Sequence, residues 1–258
     1  MPFFSIVIPA YNQADLLRQT MASVLNQTFG DFELIIIDDA SPNPSVASVI
    51  REAASRDPRI HPVLNTENQG LAATRNAGLS LAKGEYIIFL DHDDLYQEDT
   101  LQAFHETILK HGRPAFVAAT ASPVLPERTS RSPLTGTLQT SAYEDYFKYR
   151  TTQRNWWFVP SGTALLASLV QDAGGFWNSR LFCEDIDLWQ RMGLCKGFVR
   201  ITSPPLFHYR LHDANNHRNT MAMASGLTAS ASHAPLCRIP SRTGARQRNP
   251  NPELVAEA

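Results

Sequence analysis

With 258 residues, 43% of them hydrophobic and 19% charged, the chain is long enough for one large α/β domain, or a domain with a tail, around an ample core. A formal net charge of −2 gives it no general attraction for nucleic acid or for an anionic membrane surface. The cysteines Cys183, Cys195 and Cys237 are odd in number and lack paired spacing, which argues against a disulfide framework or a zinc site. The apolar run Phe3 to Ala10 is too short for a signal peptide or a membrane span, so a cytoplasmic protein is expected.

In chain order, Phe4 to Pro9 reads as a first strand, and Asn12 is placed to cap a helix whose apolar positions Leu17, Met21, Val24 and Leu25 share a face. Glu33 to Ile37 is a second buried strand ending in acid at Asp38 and Asp39. Pro44 to Arg56 reads as a helix with proline at its start, where the missing amide costs least, and Ile60 to Leu64 reads as a third strand. Asn68-Gln69-Gly70 turns into a helix from Leu71 to Ala82 that carries Arg75 and Asn76. Tyr86 to Leu90 is apolar without alternation, as in a strand covered on both faces in the middle of a parallel sheet. Such alternation of strands and helices predicts an α/β nucleotide-binding sheet. There is no Gly-x-Gly-x-x-Gly after the first strand and no Walker lysine loop, so dinucleotide and P-loop readings lose their support.

Further on, Glu98 to His111 is expected to be a helix and Ala115 to Ala119 a strand. Residues 120–140 turn to Pro, Ser, Thr and Arg and read as a mobile loop, followed by a short aromatic helix from Ser141 to Arg150. Trp156, Trp157 and Phe158 read as core aromatics, with a sugar-stacking platform as the alternative. Ser161-Gly162-Thr163 precedes the apolar segment Ala164 to Leu169, and Gly174-Gly175-Phe176 marks a tight turn. Leu206 to His212 reads as a closing strand with His208, Arg210 and His212 on one face, a set suited to a diphosphate or its metal. Beyond residue 219 no period is sustained, and a disordered tail, 219–258, is expected.

Two acidic foci carry the chemistry. Asp91, Asp93 and Asp94 crowd the loop after the strand Tyr86 to Leu90, at the edge of an α/β sheet where ligands bind. A hard divalent cation shared with substrate phosphates explains such crowding. A calcium loop opening at Asp91 would need Gly and Glu where Tyr96 and Gln102 stand. An aspartyl phosphatase would carry its acids on the first strand. The second focus is Glu184 to Arg191: on a helix, Asp185 shares a face with Leu188 and Trp189, while Asp187 is placed for a surface ion pair with Arg191. Acids in a first turn can also merely complement the helix dipole.

Taken together the chain resembles family 2 glycosyltransferases of the GT-A fold. The resemblance rests on Ser5 to Asn12, Ile35 to Ser41, Asn68 to Asn76 with Gly84 to Asp94, Glu184 to Arg191, and Tyr209-Arg210 with His212 and Asn215, in that order, and covers roughly residues 4–218. It implies one domain over 1–218, with a nucleotide-sugar half (1–115) and a half for the acceptor and the catalytic base (116–218), built on a mainly parallel sheet. It further implies that Pro9, Tyr11 and Asp39 meet the base and ribose, that Asp91, Asp93, Arg75 and Arg210 bind the donor, and that Asp93, Asp91 and His212 hold a divalent metal, Mg or Mn. Asp185 would be the catalytic base, with Glu184, Gly162 and Trp157 at the acceptor. The implied activity is metal-dependent, inverting transfer of a hexosyl or N-acetylhexosaminyl group from a nucleotide-diphosphate sugar, a UDP-sugar, to a glycan or lipid-linked acceptor in surface polysaccharide synthesis. Peripheral association with the inner face of the membrane goes with it; no nucleic-acid partner is expected and the oligomeric state stays open. Thr74 departs from the small Ala or Ser usual there. A nucleotidyltransferase would need a Gly-rich, basic loop after the first strand, where Tyr11-Asn12-Gln13-Ala14 stands, and a degenerate, non-transferring domain would have lost Asp93 or Asp185.

Overall fold

The computed structural model describes residues 1–124, 134–153, 158–178, 183–192, 197–212 and 225. Trp156, Trp157, Asn215 and, apart from Ser225, the tail 219–258 lie outside these residues.

The continuous apolar runs form the buried strands β1 (Phe4–Ala10) and β2 (Phe32–Asp38), paired in parallel from Phe4 opposite Phe32 to Ala10 opposite Asp38. β3 (Ile60–Leu64) lies parallel outside β2, and β4 (Tyr86–Phe89) lies parallel on the other side of β1. The next neighbour of β4 is β9 (Thr163–Leu166), which is antiparallel to it. The strand thought to lie inside a parallel sheet therefore lies where the sheet changes direction. Beyond β9 come β6 (Phe116–Ala119), β10 (Phe198–Ser203) and the edge strand β8 (Gln139–Tyr143), giving an eight-stranded sheet in the order β3-β2-β1-β4-β9-β6-β10-β8. A second sheet of three strands joins β5 (Leu95–Tyr96), β11 (Phe207–Arg210) and β7 (Ala121–Val124).

Because side chains alternate across a strand, the main sheet feeds two cores. Ile6, Ile8, Leu34, Ile36 and Ile88 pack on one face with Leu17, Met21 and Val24 of α1 (Ala14–Leu25), Val46, Val49 and Ile50 of α2 (Pro44–Arg56), and Leu101, Phe104 and Ile108 of α4 (Thr100–Lys110). Val7, Ile35, Ile37, Ile87, Phe89 and Phe116 pack on the other face with Ala72 and Leu79 of α3 (Leu71–Leu81), Val170 of α6 (Ala167–Asp172), and Leu188, Trp189 and Met192 of α7 (Glu184–Met192). Each such side chain contributes about 1.5–3 kcal/mol on burial, so these layers carry most of the stability. Phe158 sits in the second core, 5.9 Å from Phe116 between ring centroids, as read for that aromatic.

Three local readings need correction. Asn12 does not cap α1; it takes a positive φ of 64° and its side-chain oxygen accepts from the Asn43 amide at 3.3 Å, tying the β1 loop to the start of α2. Residues 120–140 are not one loop, because β7 and β8 occupy parts of them, although 125–133 lie outside the described residues. The helix expected from Ser141 begins later: residues 139–143 form the antiparallel partner of β10, and α5 (Tyr146–Thr152) starts where Asp145 accepts from the Lys148 amide at 3.0 Å. Among the described residues no helix is long and apolar enough to cross a membrane.

Gly84, at the entry to β4, shows how tightly the first sheet strands are fitted. A Cβ there would lie 2.4 Å from the Ser5 amide nitrogen and 2.7 Å from the Phe4 carbonyl carbon, both backbone atoms that cannot swing aside. Gly84→Ala is expected to destabilise by about 1–3 kcal/mol or more, read as a lower urea midpoint with unchanged slope.

Candidate active site

The parallel strands end along one edge of the sheet, and two of them, β2 and β4, run into acid there, at Asp38-Asp39 and at Asp91. Asp39, just past β2, is buried and accepts from the Asn65 side chain and the Gln69 amide on Oδ1 and from the Gly70 amide on Oδ2, each at 2.9 Å. It thereby pins the turn that starts α3 at Gly70, whose φ of 86° suits glycine. Pro9, at the end of β1, accepts a bond at 3.2 Å from His92 Nδ1, and Tyr11 stands 42% exposed above it.

The loop after β4 spreads its acids in three directions. Asp91 Oδ1 accepts from Arg75 Nη2 at 2.6 Å, and the Asp91 amide donates to Ser161 Oγ at 3.1 Å. Asp93 Oδ2 lies 2.7 Å from His212 Nε2, just after β11. Asp94 turns inward and is buried; burial, with the charges of Asp93 and Asp91, pushes its carboxyl well above the usual range. Beneath the loop lies Arg210, with no exposed surface. It donates to the Asp93 carbonyl, to Gln19 Oε1 at 2.6 Å, and to the Leu16 carbonyl at 3.2 Å and Thr20 Oγ1 at 3.0 Å. Thr20 in turn donates to the carbonyls of His92 and Asp94, each at 2.8 Å. Arg210 thus holds the acidic loop onto α1 from below rather than facing a ligand, and burial lowers its proton affinity. The face of β11 that bears His208 and Arg210 is buried, not solvated.

Arg75, on α3, joins the two acidic foci. It is 2% exposed, donates to Glu184 Oε1 as well as to Asp91, and lies 5.3 Å from the centre of the Phe176 ring. Burial opposes its charge, but Asp91, Glu184 and Asp185 outweigh that and hold its pKa above the ordinary value. Glu184 is buried in this contact, and Asp185 beside it is half-buried, with Oδ1 accepting from the Ile186 amide at 2.8 Å. Burial and the neighbouring Glu184 push the Asp185 carboxyl up to about 7, against the pull of Arg75. The ion pair expected on the surface is in fact buried. Asp187 is 0% exposed, its Oδ2 lies 2.7 Å from Arg191 Nη2, and Arg191 also donates to the carbonyls of Ala173 and, at 2.7 Å, Gly175. A spacing of four residues predicts the pairing but not the depth, which is set by the 173–176 turn folding over it.

Gly162 is wall rather than opening: a Cβ on it would meet the Phe207 ring at 2.4 Å. Trp157 falls outside the described residues. Sequence reasoning missed Ser161, Thr20 and Tyr96. Tyr96 donates to the Ser161 carbonyl at 2.8 Å, and the sequence signal for Thr20 is a hydroxyl among the apolar positions on the buried face of α1, which it shares with Ser23. Among the described residues, no three His, Cys, Asp or Glu side chains converge as a ready-made metal site. Asp93 and His212 nevertheless fit a divalent cation. Both are partly exposed at the sheet edge, and a carboxylate with an imidazole suits an ion that takes its remaining oxygens from donor phosphates.

Comparison with known proteins shows the family and the fold. The sequence matches a relative described as "Uncharacterized glycosyltransferase" from Haemophilus influenzae, 39% identical over 122 residues, covering 45% of this chain and 48% of that protein. It also matches the Bacillus subtilis "Putative teichuronic acid biosynthesis glycosyltransferase TuaG", 39% identical over 101 residues, covering 39% of this chain and 40% of that protein. These matches span less than half the length of either curated relative. In structure it is similar to S. aureus TarS 1-349 in complex with UDP-GlcNAc, with a TM-score of 0.73, 18% identity, and coverage of 95% of this chain and 68% of that one. It is also similar to the mannosyltransferase PcManGT from Pyrobaculum calidifontis in complex with GDP-Man and Mn²⁺, with a TM-score of 0.67, 20% identity, and coverage of 90% and 64%. These likenesses show the GT-A fold. The family described as "Glycosyl transferase family 2" matches residues 5–168, a stretch that contains β1 from its second residue, β2 to β4, the acidic loop and Arg75. The chain therefore belongs to glycosyl transferase family 2.

Proposed function

We propose that the chain is a metal-dependent inverting glycosyltransferase that moves a hexosyl or N-acetylhexosaminyl group from a UDP-sugar to a hydroxyl of a glycan or lipid-linked acceptor in surface polysaccharide synthesis. The observation that carries this reading is the placement of Arg75, one guanidinium touching Asp91 of the acidic loop and Glu184 beside Asp185. It brings the acidic loop and the acidic start of α7 to the two sides of one guanidinium, and sugar transfer needs two such acidic groups near each other. The complexes of TarS with UDP-GlcNAc and of PcManGT with GDP-Man and Mn²⁺ support a nucleotide-sugar donor and a metal, and the name of TuaG supports an envelope polysaccharide.

In this reading Pro9, Tyr11 and Asp39 receive the base and ribose; Asp39 Oδ2, with one internal donor, has capacity for another. Asp91, braced by Arg75, lines the ribose and diphosphate side. Asp93 and His212 would hold the cation, which when bound supplies positive charge that stabilises the departing diphosphate. On the opposite side of the sugar Asp185 takes the proton of the acceptor hydroxyl. That oxygen bonds to the anomeric carbon as the bond to the diphosphate breaks, its electron pair leaves with the diphosphate, and one displacement inverts the centre. A base with its pKa at about 7 is partly ionised at neutral pH and still proton-hungry, the compromise general-base catalysis favours.

Asp93→Ala is expected to weaken binding of the nucleotide sugar in Mn²⁺ by about tenfold or more, and to bind like the parent when both are stripped with EDTA. Calorimetric titration over a panel of nucleotide sugars reads this. If no sugar nucleotide binds the parent in Mn²⁺, the enzymatic reading is rejected.

A further inference from the structure

We propose that Glu184 is a positioning residue: by fixing the buried Arg75 it holds α7, and Asp185 with it, at a set place relative to the acidic loop. It does not contact the acceptor. This rests on the reading of Asp185 as the base and replaces the acceptor role that the resemblance implied for Glu184. Glu184 is only 8% exposed and its carboxylate is engaged by a guanidinium that is itself 2% exposed. The same guanidinium meets Asp91, which is 29% exposed, at 2.6 Å, so the three groups form one carboxylate–guanidinium–carboxylate array running from the part-exposed β4 loop to the buried first turn of α7.

A second link runs in parallel one residue along α3. The Asn76 side chain donates to the Phe176 carbonyl and accepts from the Phe176 amide, both at 2.8 Å, and Arg191 of α7 grips the carbonyls of Ala173 and Gly175 in the same turn. Consecutive residues of one helix thus clasp α7 directly and through the turn packed on it. With two such clasps, α7 moves with α3 as a unit. Removing the Glu184 clasp leaves the fold supported by the other while freeing the first turn, which bears Asp185.

The charged and titratable groups around Asp185 come from several elements: Glu184 and Cys183 at the start of α7, Arg75 on α3, Asp91 in the loop, Tyr146 on α5 and Tyr209 on β11. Glu184 raises the Asp185 pKa and Arg75 lowers it. Glu184→Gln, which keeps the shape and removes the charge, is therefore expected to move the acid limb of kcat/KM to lower pH by about one unit. It should lower kcat by about tenfold while leaving acceptor KM within about twofold. Glu184→Asp keeps the charge but falls a methylene short of Arg75; it should lower kcat with the acid limb unmoved. The full chain is assayed across pH with varied acceptor. A tenfold rise in acceptor KM with an unmoved limb in Glu184→Gln overturns the proposal. If that variant does not fold, the split of kcat and KM in Glu184→Asp decides: a kcat loss at constant acceptor KM supports it, and a KM rise overturns it. A fully active Asp185→Asn would instead remove the base assignment beneath both readings.

Discussion

Asp185→Asn is expected to reduce sugar transfer by about two to four powers of ten while donor affinity in Mn²⁺ stays within about twofold of the parent. The reason is geometric. Arg75 lies between Glu184, the neighbour of Asp185, and Asp91 of the loop assigned to the donor in the proposed mechanism, so in that mechanism loss of Asp185 removes the acceptor of the hydroxyl proton and leaves the nucleotide contacts in place. The same substitution should alter stability in a direction set by the carboxyl's displaced pKa. A carboxyl whose folded pKa lies at about 7, above the usual carboxylate range, favours folding fully only below the unfolded pKa and loses that contribution as pH rises through 7. The Asn variant should accordingly melt higher than the parent at pH 8, and the gap should close as pH falls towards 4. Turnover, donor titration and melting against pH check the three parts separately. Parent-like turnover would end the assignment of Asp185 as the base.

Arg191→Met is expected to destabilise the protein by about 3–5 kcal/mol, the cost of leaving one member of a buried ion pair without its partner. Asp187 has no exposed surface, and the carbonyls of Ala173 and Gly175 lose a charged donor at the same time. Urea unfolding measures the loss. A shift below about 1 kcal/mol would mean that the pair is solvated like an ordinary surface contact. Replacing both partners, Asp187→Leu with Arg191→Met, should recover part of the stability, because the lone buried charge is gone.

Much of the N-terminal part, β1 to β4, was legible because its signals are local. Unbroken apolar runs at Ile6 to Ile8, Leu34 to Ile37 and Tyr86 to Leu90 mark strands covered on both faces, and the second and third run directly into acid at Asp38 and Asp91. The other half was harder, since its structure depends on partners remote in sequence. Residues 139–143 are polar and short and become a strand only because β10 lies beside them, while β10 itself went unrecognised. The burial of Arg210 and of the Asp187–Arg191 pair has the same origin: what covers each side chain comes from elsewhere in the chain, α1 in one case and the 173–176 turn in the other. Pattern gave the residue types of the two acidic groups, but not which of their neighbours are buried to hold them.

The pairing of Arg75 and Asn76 has a consequence for recombination between relatives. Someone exchanging acceptor specificity would naturally cut after the acidic loop and transplant everything C-terminal to it. The clasping residues lie upstream of that cut, whereas the carboxylate and the turn they hold lie downstream. A hybrid joined there would inherit a mismatched latch unless positions 75 and 76 travel with the transplanted segment. The working boundary between the two halves is therefore spatial, and it runs through the middle of α3.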